Sequence, residues 1–230
     1  MRPGERRLRR HAILLFLTGP ITAGLLALAG CGGTTPPIDR TDLVNDLAAR
    51  LNQPPAADYT ARYQLAGGTI ATVTQSKEPR RTAYRWTDGA LILTPQATTR
   101  CSGAPAVCTM TAAPASATPQ PDASELLKHG LVPAQKVSAL LTAAALDLRS
   151  EIEQRDTTIA GRPASCVEVS GERNGKNYDI EACVTTDNVL GSFTGMVDGA
   201  PIEFAMTQYS PNAAPDAFAT SEPSPSISAL

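Results

Sequence analysis

Histidine, tryptophan and the familiar catalytic motifs are nearly missing from this chain. It holds two histidines and one tryptophan, and aromatic residues make up 4% of its 230 positions. No H-E-x-x-H, Walker A, C-x-x-C or G-x-S-x-G motif occurs, so zinc-protease, P-loop, thiol-redox and serine-hydrolase chemistries lack their usual residues. His11 lies in the apolar N-terminal segment, which leaves His129 beside Gly130. That placement reads as a helix C-terminus, where an imidazolium charge is favourable. Glu151 and Glu153 read as solvated carboxylates in a segment joining a helix to a strand. Long runs of one charge are also absent, and 20 basic residues stand against 22 acidic ones. Without a basic stripe the chain is a poor match for nucleic acid. These absences predict a protein that is not an enzyme and has no cofactor, no metal site and no nucleic-acid partner.

What is present begins at the N-terminus. Arg2, Arg6, Arg7, Arg9 and Arg10 precede an apolar run over residues 12–30, a pattern of secretory signals. The run is 19 residues long, enough to cross a bilayer at about 1.5 Å per residue, so an uncleaved anchor helix is the competing reading. Gly19-Pro20 and the small residues at its end favour cleavage. Leu28-Ala29-Gly30-Cys31 resembles a bacterial lipobox, whose cysteine takes a diacylglyceryl group and becomes the new N-terminus. That resemblance implies palmitate-type acylation at Cys31 and a membrane anchor of two or three chains. One acyl chain alone binds marginally. Residues 1–30 are then a cleaved signal peptide, and residues 31–40 a short lipidated tether. Removing 1–30 takes away five arginines and one glutamate, which moves the net charge from −2 to −6.

Export decides the remaining thiols. Cys101, Cys108, Cys166 and Cys183 form an even set, and an oxidising compartment favours disulfides. Asn174-Gly175 is the strongest hairpin signal in the chain. A two-residue turn there pairs Arg173 with Lys176 and, seven positions outward, Cys166 with Cys183. The same register sets Glu168 against Glu181, a mildly destabilising pair. The other bridge is then Cys101–Cys108, around a Gly/Pro loop.

Periodicity outlines the rest. Leu43, Val44, Leu47, Ala48 and Leu51 recur at helical spacing after Thr41, a candidate N-cap, and Pro54-Pro55 ends the run. Tyr59, Ala61, Tyr63 and Leu65 then alternate with polar residues, and Gly67-Gly68 turns into a second strand from Ile70. A turn centred on Asp88-Gly89 sets Trp86 opposite Leu91 and Tyr84 opposite Leu93, on a sheet covered on one face. Strands follow over 97–101 and 107–112, then a loop. Asp122 and Glu125 match a capping box, Gly130 a helix stop, and Pro133 the first position of a helix. In that helix Val137, Leu140, Leu141, Ala144 and Leu148 make an apolar stripe. Strands resume at Thr157, and a last hairpin turns at Asp198-Gly199. Beyond Tyr209 only Phe218 offers an anchor, and residues 219–230 read as a disordered tail.

A helix, several antiparallel hairpins, two inserted helices and further hairpins resemble the LolA-like fold of lipoprotein carriers and mycobacterial glycolipid-binding lipoproteins. The resemblance spans about residues 41–218, read as one domain. It rests on "YRWTDGALILTP" (84–95), "DTTIAGRPASCVEV" (156–169) and "VLGSFTGMVDGAPIEFAMTQYS" (189–210). It implies an α+β half-barrel, a curved antiparallel sheet whose concave face holds the N-terminal and the two inserted helices. It further implies a lipid or lipidated ligand in the gap between them. Tyr63, Tyr84, Trp86, Leu93, Leu140, Leu141, Phe193 and Phe204 are the candidate cavity residues. Shuttles of that group are soluble, whereas Cys31 predicts tethering at the outer face of the cell membrane. The competing expectation is a non-enzymatic interaction or sensor lipoprotein with a packed core and a protein partner in the envelope.

Overall fold

The computed structural model describes residues 40–104, 106–113, 120–173 and 176–220. The expected signal peptide, Cys31 and nearly all of the tether therefore lie outside the described residues, as do the Asn174-Gly175 turn and residues 221–230 of the expected tail.

Among the described residues eleven strands form one open antiparallel sheet, and three α-helices cover one of its faces, so the chain is α+β. In chain order the elements are α1 (Arg40–Asn52), β1 (Tyr59–Leu65), β2 (Ile70–Ser76), β3 (Arg81–Trp86), β4 (Gly89–Leu93), β5 (Ala97–Ser102) and β6 (Val107–Ala112). They continue as α2 (Ala123–Lys128), α3 (Ala134–Ala145), β7 (Glu151–Ile159), β8 (Arg162–Arg173), β9 (Lys176–Thr185), β10 (Leu190–Val197) and β11 (Ala200–Ser210). Two meanders, β1–β6 and β7–β11, join where β1 pairs with β11, giving the order β6-β5-β4-β3-β2-β1-β11-β10-β9-β8-β7. The sheet curves, and register shifts at Arg62/Tyr63 and Leu190/Ser192 help to bend it.

Alternation decides which side chains face the helices. In β1, Tyr59, Ala61, Tyr63 and Leu65 are buried, while Arg62 and Gln64 are exposed. Ala61 pairs with Val73, Val73 with Tyr84, and Tyr84 with Leu91, which makes one inner-face row across four strands. Val167, Val169, Ile180, Ala182, Phe193, Phe204 and Met206 extend that face through β8–β11. Against it pack Val44, Leu47 and Leu51 of α1, Leu126 of α2, and Val137 and Leu141 of α3. Full burial of each such side chain contributes about 1.5–3 kcal/mol. Asn52 donates to Ser138 Oγ at 2.8 Å and Ser138 donates to the Ala48 carbonyl at 3.2 Å, which locks α1 to α3.

Several expectations need correction. The β3–β4 turn comes one residue early, so Trp86 pairs with Gly89, Tyr84 with Leu91 and Thr82 with Leu93. The faces survive this two-residue slip. Its cause is the indole, which lies over Gly89: a Cβ there would stand 2.7 Å from Trp86 Nε1 and 2.6 Å from the Cys101 carbonyl oxygen. β3–β5 are also covered on both faces. Ala83, Ala90, Ile92 and Cys101 form an outer cluster under Ala217 and Phe218, in a single 3-10 turn over Pro215–Phe218. Arg85 holds that segment by donating to the carbonyls of Ala217 at 3.1 Å and Ala219 at 2.8 Å. β7 starts at Glu151, not Thr157, so Glu151 and Glu153 belong to an exposed edge strand.

At the helix ends, α1 already includes Arg40, which puts Thr41 inside its first turn and not at its cap. Asp122 does cap α2, accepting from the Ser124 hydroxyl at 2.6 Å and the Ser124 amide at 2.9 Å, and these bonds hold its carboxyl below the usual range. Glu125 does not close the box; it pairs with Arg100 at 2.7 Å. Gly130, at φ 71°, stops α2, with its own amide on the Leu127 carbonyl and that of Leu131 on the Leu126 carbonyl. Pro133 occupies the N-cap of α3. Leu148 lies beyond α3 and is fully exposed, so it is not part of the apolar stripe.

Both disulfides form as expected, with Cα–Cα distances of 4.0 Å for Cys101–Cys108 and 3.9 Å for Cys166–Cys183. The β8–β9 register runs unbroken from Ala164–Thr185 to Arg173–Lys176 and keeps Glu168 opposite Glu181. Arg155, from β7, relieves that pair by bonding Glu181 at 2.6 Å.

Candidate functional site

The helices do not cover the inner face evenly. α1 and α3 lie against β7–β9, because Arg50 donates to the carbonyls of Val184 and Thr185 and ties α1 to that side. Over β1–β4 this leaves a cavity of about 800 Å³. Small-molecule sites range over about 300–1,000 Å³. Tyr59, Tyr63, Val73, Tyr84, Leu93 and Phe204 line its sheet side. Leu51 at the end of α1, Leu131 and Val132 between α2 and α3, Val189 before β10 and Leu190 at its start line the helix side.

The aromatic wall is ordered by specific contacts. Tyr63 packs edge-on against Phe204 with ring centroids 5.5 Å apart, and its hydroxyl donates to the Leu190 carbonyl at 2.8 Å. Tyr59 stacks on Tyr209 at 6.1 Å. Tyr59 and Tyr84 stand in the same wall, so it offers phenol groups as well as apolar surface. Burial raises the pKa values of Tyr59, Tyr63 and Tyr84 above that of a free phenol, so all three stay neutral near pH 7.

Four of the sequence candidates, Tyr63, Tyr84, Leu93 and Phe204, thus come together around one space. The other four do not line it. Leu141 and Phe193 are fully buried in the packed part of the core, and Leu140 packs against the same cluster. Trp86 stacks on His129, with centroids 3.8 Å apart and planes at 18°. His129 is the C-cap of α2, as expected for a residue at a helix C-terminus, and it also covers the indole.

The rim was not foreseen. Gln53, Gln75, Gln120, Gln135, Asn188 and Arg80 also line the cavity, and Arg81 does so from the start of β3 while its guanidinium lies over the Phe218 ring. Among the described residues no carboxylate lines the cavity. Nothing in strand alternation marks such residues, because they lie at turns and element ends.

Among the described residues no catalytic constellation accompanies the cavity. The potential metal-ligand grouping of Cys166, Glu181 and Cys183 has both sulfurs in a disulfide. No helix among the described residues is long and apolar enough to cross a membrane. A scan against protein-family models finds no match, and no curated protein matches the chain significantly.

Proposed function

We propose that this chain is an exported, lipid-anchored protein of LolA-like type that binds or hands over lipid or lipidated ligands at the outer face of the cell membrane. The observation that carries the reading is the aromatic-walled cavity of about 800 Å³ between sheet and helices. A curved antiparallel sheet with its helices gathered on one face is also the architecture that the LolA resemblance implies. Among the described residues no paired acid–base or nucleophilic groups line the cavity, which favours binding over catalysis. Cys31 supplies the anchor in this reading, taking a diacylglyceryl group on its sulfur and becoming the N-terminus when residues 1–30 are removed.

A photoreactive fatty acid tests the cavity. Crosslinks should map to peptides carrying Tyr63, Tyr84 and Phe204, whereas labelling spread over the outer face would contradict the assignment. Palmitate labelling tests the anchor: Cys31→Ala should abolish it, and normal labelling of that variant would refute the lipobox.

The packed part of the inner face favours a second reading. Leu141 and Phe193 are fully buried and His129 covers Trp86, so this region is a filled core. A sensor or interaction module with a protein partner would need no more than that.

A further inference from the structure

Leu146 and Leu148, in the turn from α3 to β7, are the most exposed large apolar side chains among the described residues, at 74% and 101%. Local bonds fix that turn. The Asp147 carboxylate accepts from the Arg149 amide at 3.0 Å, and the Asp147 carbonyl accepts from the Ser150 amide at 3.0 Å and hydroxyl at 2.7 Å. Asp147 is thereby mostly covered, and Leu148 and Arg149 stand at the tip. The packing of α1 on α3 places this turn. The end of α1, at Leu51 and Asn52, and the start of α3, at Ala134 and Gln135, both border the cavity, so the two helices run antiparallel. Ser138 bonds the Ala48 carbonyl. Arg40 lies eight positions before Ala48 and Leu146 eight after Ser138, so each stands about 12 Å beyond that bond at 1.5 Å per residue. Packed helix axes are about 8–10 Å apart. The start of α1 and the two leucines are therefore neighbours, at the end of the helix pair away from the cavity. Nine residues of chain lead from Cys31 to Arg40, a reach of at most about 30 Å.

We infer that Leu146 and Leu148 dip into the headgroup region of the leaflet that holds the Cys31 acyl chains, with Arg149 on its phosphates, so that the folded domain rests on the membrane by this end. The inference rests on reading Cys31 as the anchor and adds the surface by which the domain meets lipid. Apolar side chains could equally serve a protein partner; the lipid surface is favoured because the acylated chain end enters the fold beside them. Two leucines alone would hold a protein to a bilayer only weakly, since even full burial of each contributes about 1.5–3 kcal/mol. The tether changes that balance, because it makes their insertion an intramolecular step at high effective concentration. Stable membrane attachment characteristically combines an acyl chain with such a second contact. Arg149 is exposed, and its contact with Asp147 at 3.8 Å is too long to hold it, so the guanidinium is available to phosphate oxygens. The cavity then lies at the opposite end of the helix pair, about 20 Å away along α1.

The test places a nitrobenzoxadiazole probe on the acylated full chain in vesicles of phosphatidylethanolamine and phosphatidylglycerol. With Cys31 acylated and the other four cysteines in disulfides, an introduced cysteine is the one free thiol. A probe at Leu148→Cys should be quenched by nitroxide-labelled lipid and shielded from aqueous iodide. A probe at Ala57→Cys, exposed just past the cavity end of α1, should show the reverse. The unlabelled chain controls for a probe that inserts by itself: vesicles should slow amide exchange over residues 146–150, and Leu146→Ser/Leu148→Ser should abolish that protection. Both leucines are exposed, so this variant keeps its fold. A Leu148→Cys probe that stays open to iodide on the vesicle-bound chain would overturn the inference and leave the Cys31 anchor intact. Protection that survives both serine substitutions would do the same. Shielding from iodide without quenching by the lipid would mean a protein contact, a second copy included, and would also overturn it. Failure of the chain to stay on the vesicles would overturn the anchor reading, and this inference with it.

Discussion

The Tyr63 hydroxyl donates to the Leu190 carbonyl at 2.8 Å, a bond between β1 and the first residue of β10, 127 positions apart. It fixes the floor of the cavity where the two strand meanders meet, with Phe204 edge-on beside it. Tyr63→Phe removes the donor and keeps the ring. The buried carbonyl then loses a partner, which costs about 1–2 kcal/mol, or a fall of several degrees in Tm. Thermal unfolding checks this; an unchanged Tm would mean that the bond carries no weight.

The same burial makes stability sensitive to alkali. Tyr59, Tyr63 and Tyr84 have their pKa values raised, chiefly by desolvation. An unfolded tyrosine loses its proton near pH 10. Above that point the unfolded state binds fewer protons than the folded one, so stability falls as pH rises. Each tyrosine contributes a slope of up to ~1.4 kcal/mol per pH unit. Below about pH 10 these groups impose no pH dependence. Denaturation followed by phenolate absorbance should show the three ionising together with unfolding. Their ionisation in the folded chain would contradict the burial.

The two disulfides should differ in accessibility. Cys166 and Cys183 are each 1% exposed, whereas Cys108 is half-buried on the edge strand β6. Graded reduction followed by alkylation and mass mapping should open Cys101–Cys108 first. Cys166→Ala/Cys183→Ala should cost roughly 3 kcal/mol on chain-entropy grounds. Urea midpoints unchanged by that double substitution would count against the bridge as a fastener of β8 and β9.

Gly89 is required by its neighbours. A methyl group there would meet the Cys101 carbonyl at 2.6 Å and Trp86 Nε1 at 2.7 Å, and the backbone atom has little room to move. Gly89→Ala should cost about 1–3 kcal/mol and shift the indole off His129. As Trp86 is the single tryptophan, near-ultraviolet circular dichroism reads that shift directly. A native-like indole band with unchanged Tm would contradict the packing.

Where turn chemistry and alternation agreed, the fold was legible in the sequence. Asn174-Gly175 set a register that runs to Ala164–Thr185 and so placed the Cys166–Cys183 bridge. Asp198-Gly199 likewise brought Phe193 opposite Phe204. Asp88-Gly89 misled because Gly89 serves the Trp86 ring as a strand residue, and a local turn rule cannot anticipate a side chain folding back. The start of β7 was hidden for another reason: an exposed edge strand such as EIEQRDTTI buries too little to show alternation. The cavity was half legible. Periodicity assigns Tyr84 and Phe193 to one face, but only the off-centre seating of α1 and α3 leaves space at the first and fills it at the second.

Native mass spectrometry of the full chain, extracted in mild detergent, tests the central claim most directly. The account predicts a population carrying one further lipid mass, released on activation and separate from any acyl group on Cys31. A chain that retains no such mass, and takes up none when offered lipid, would contradict it.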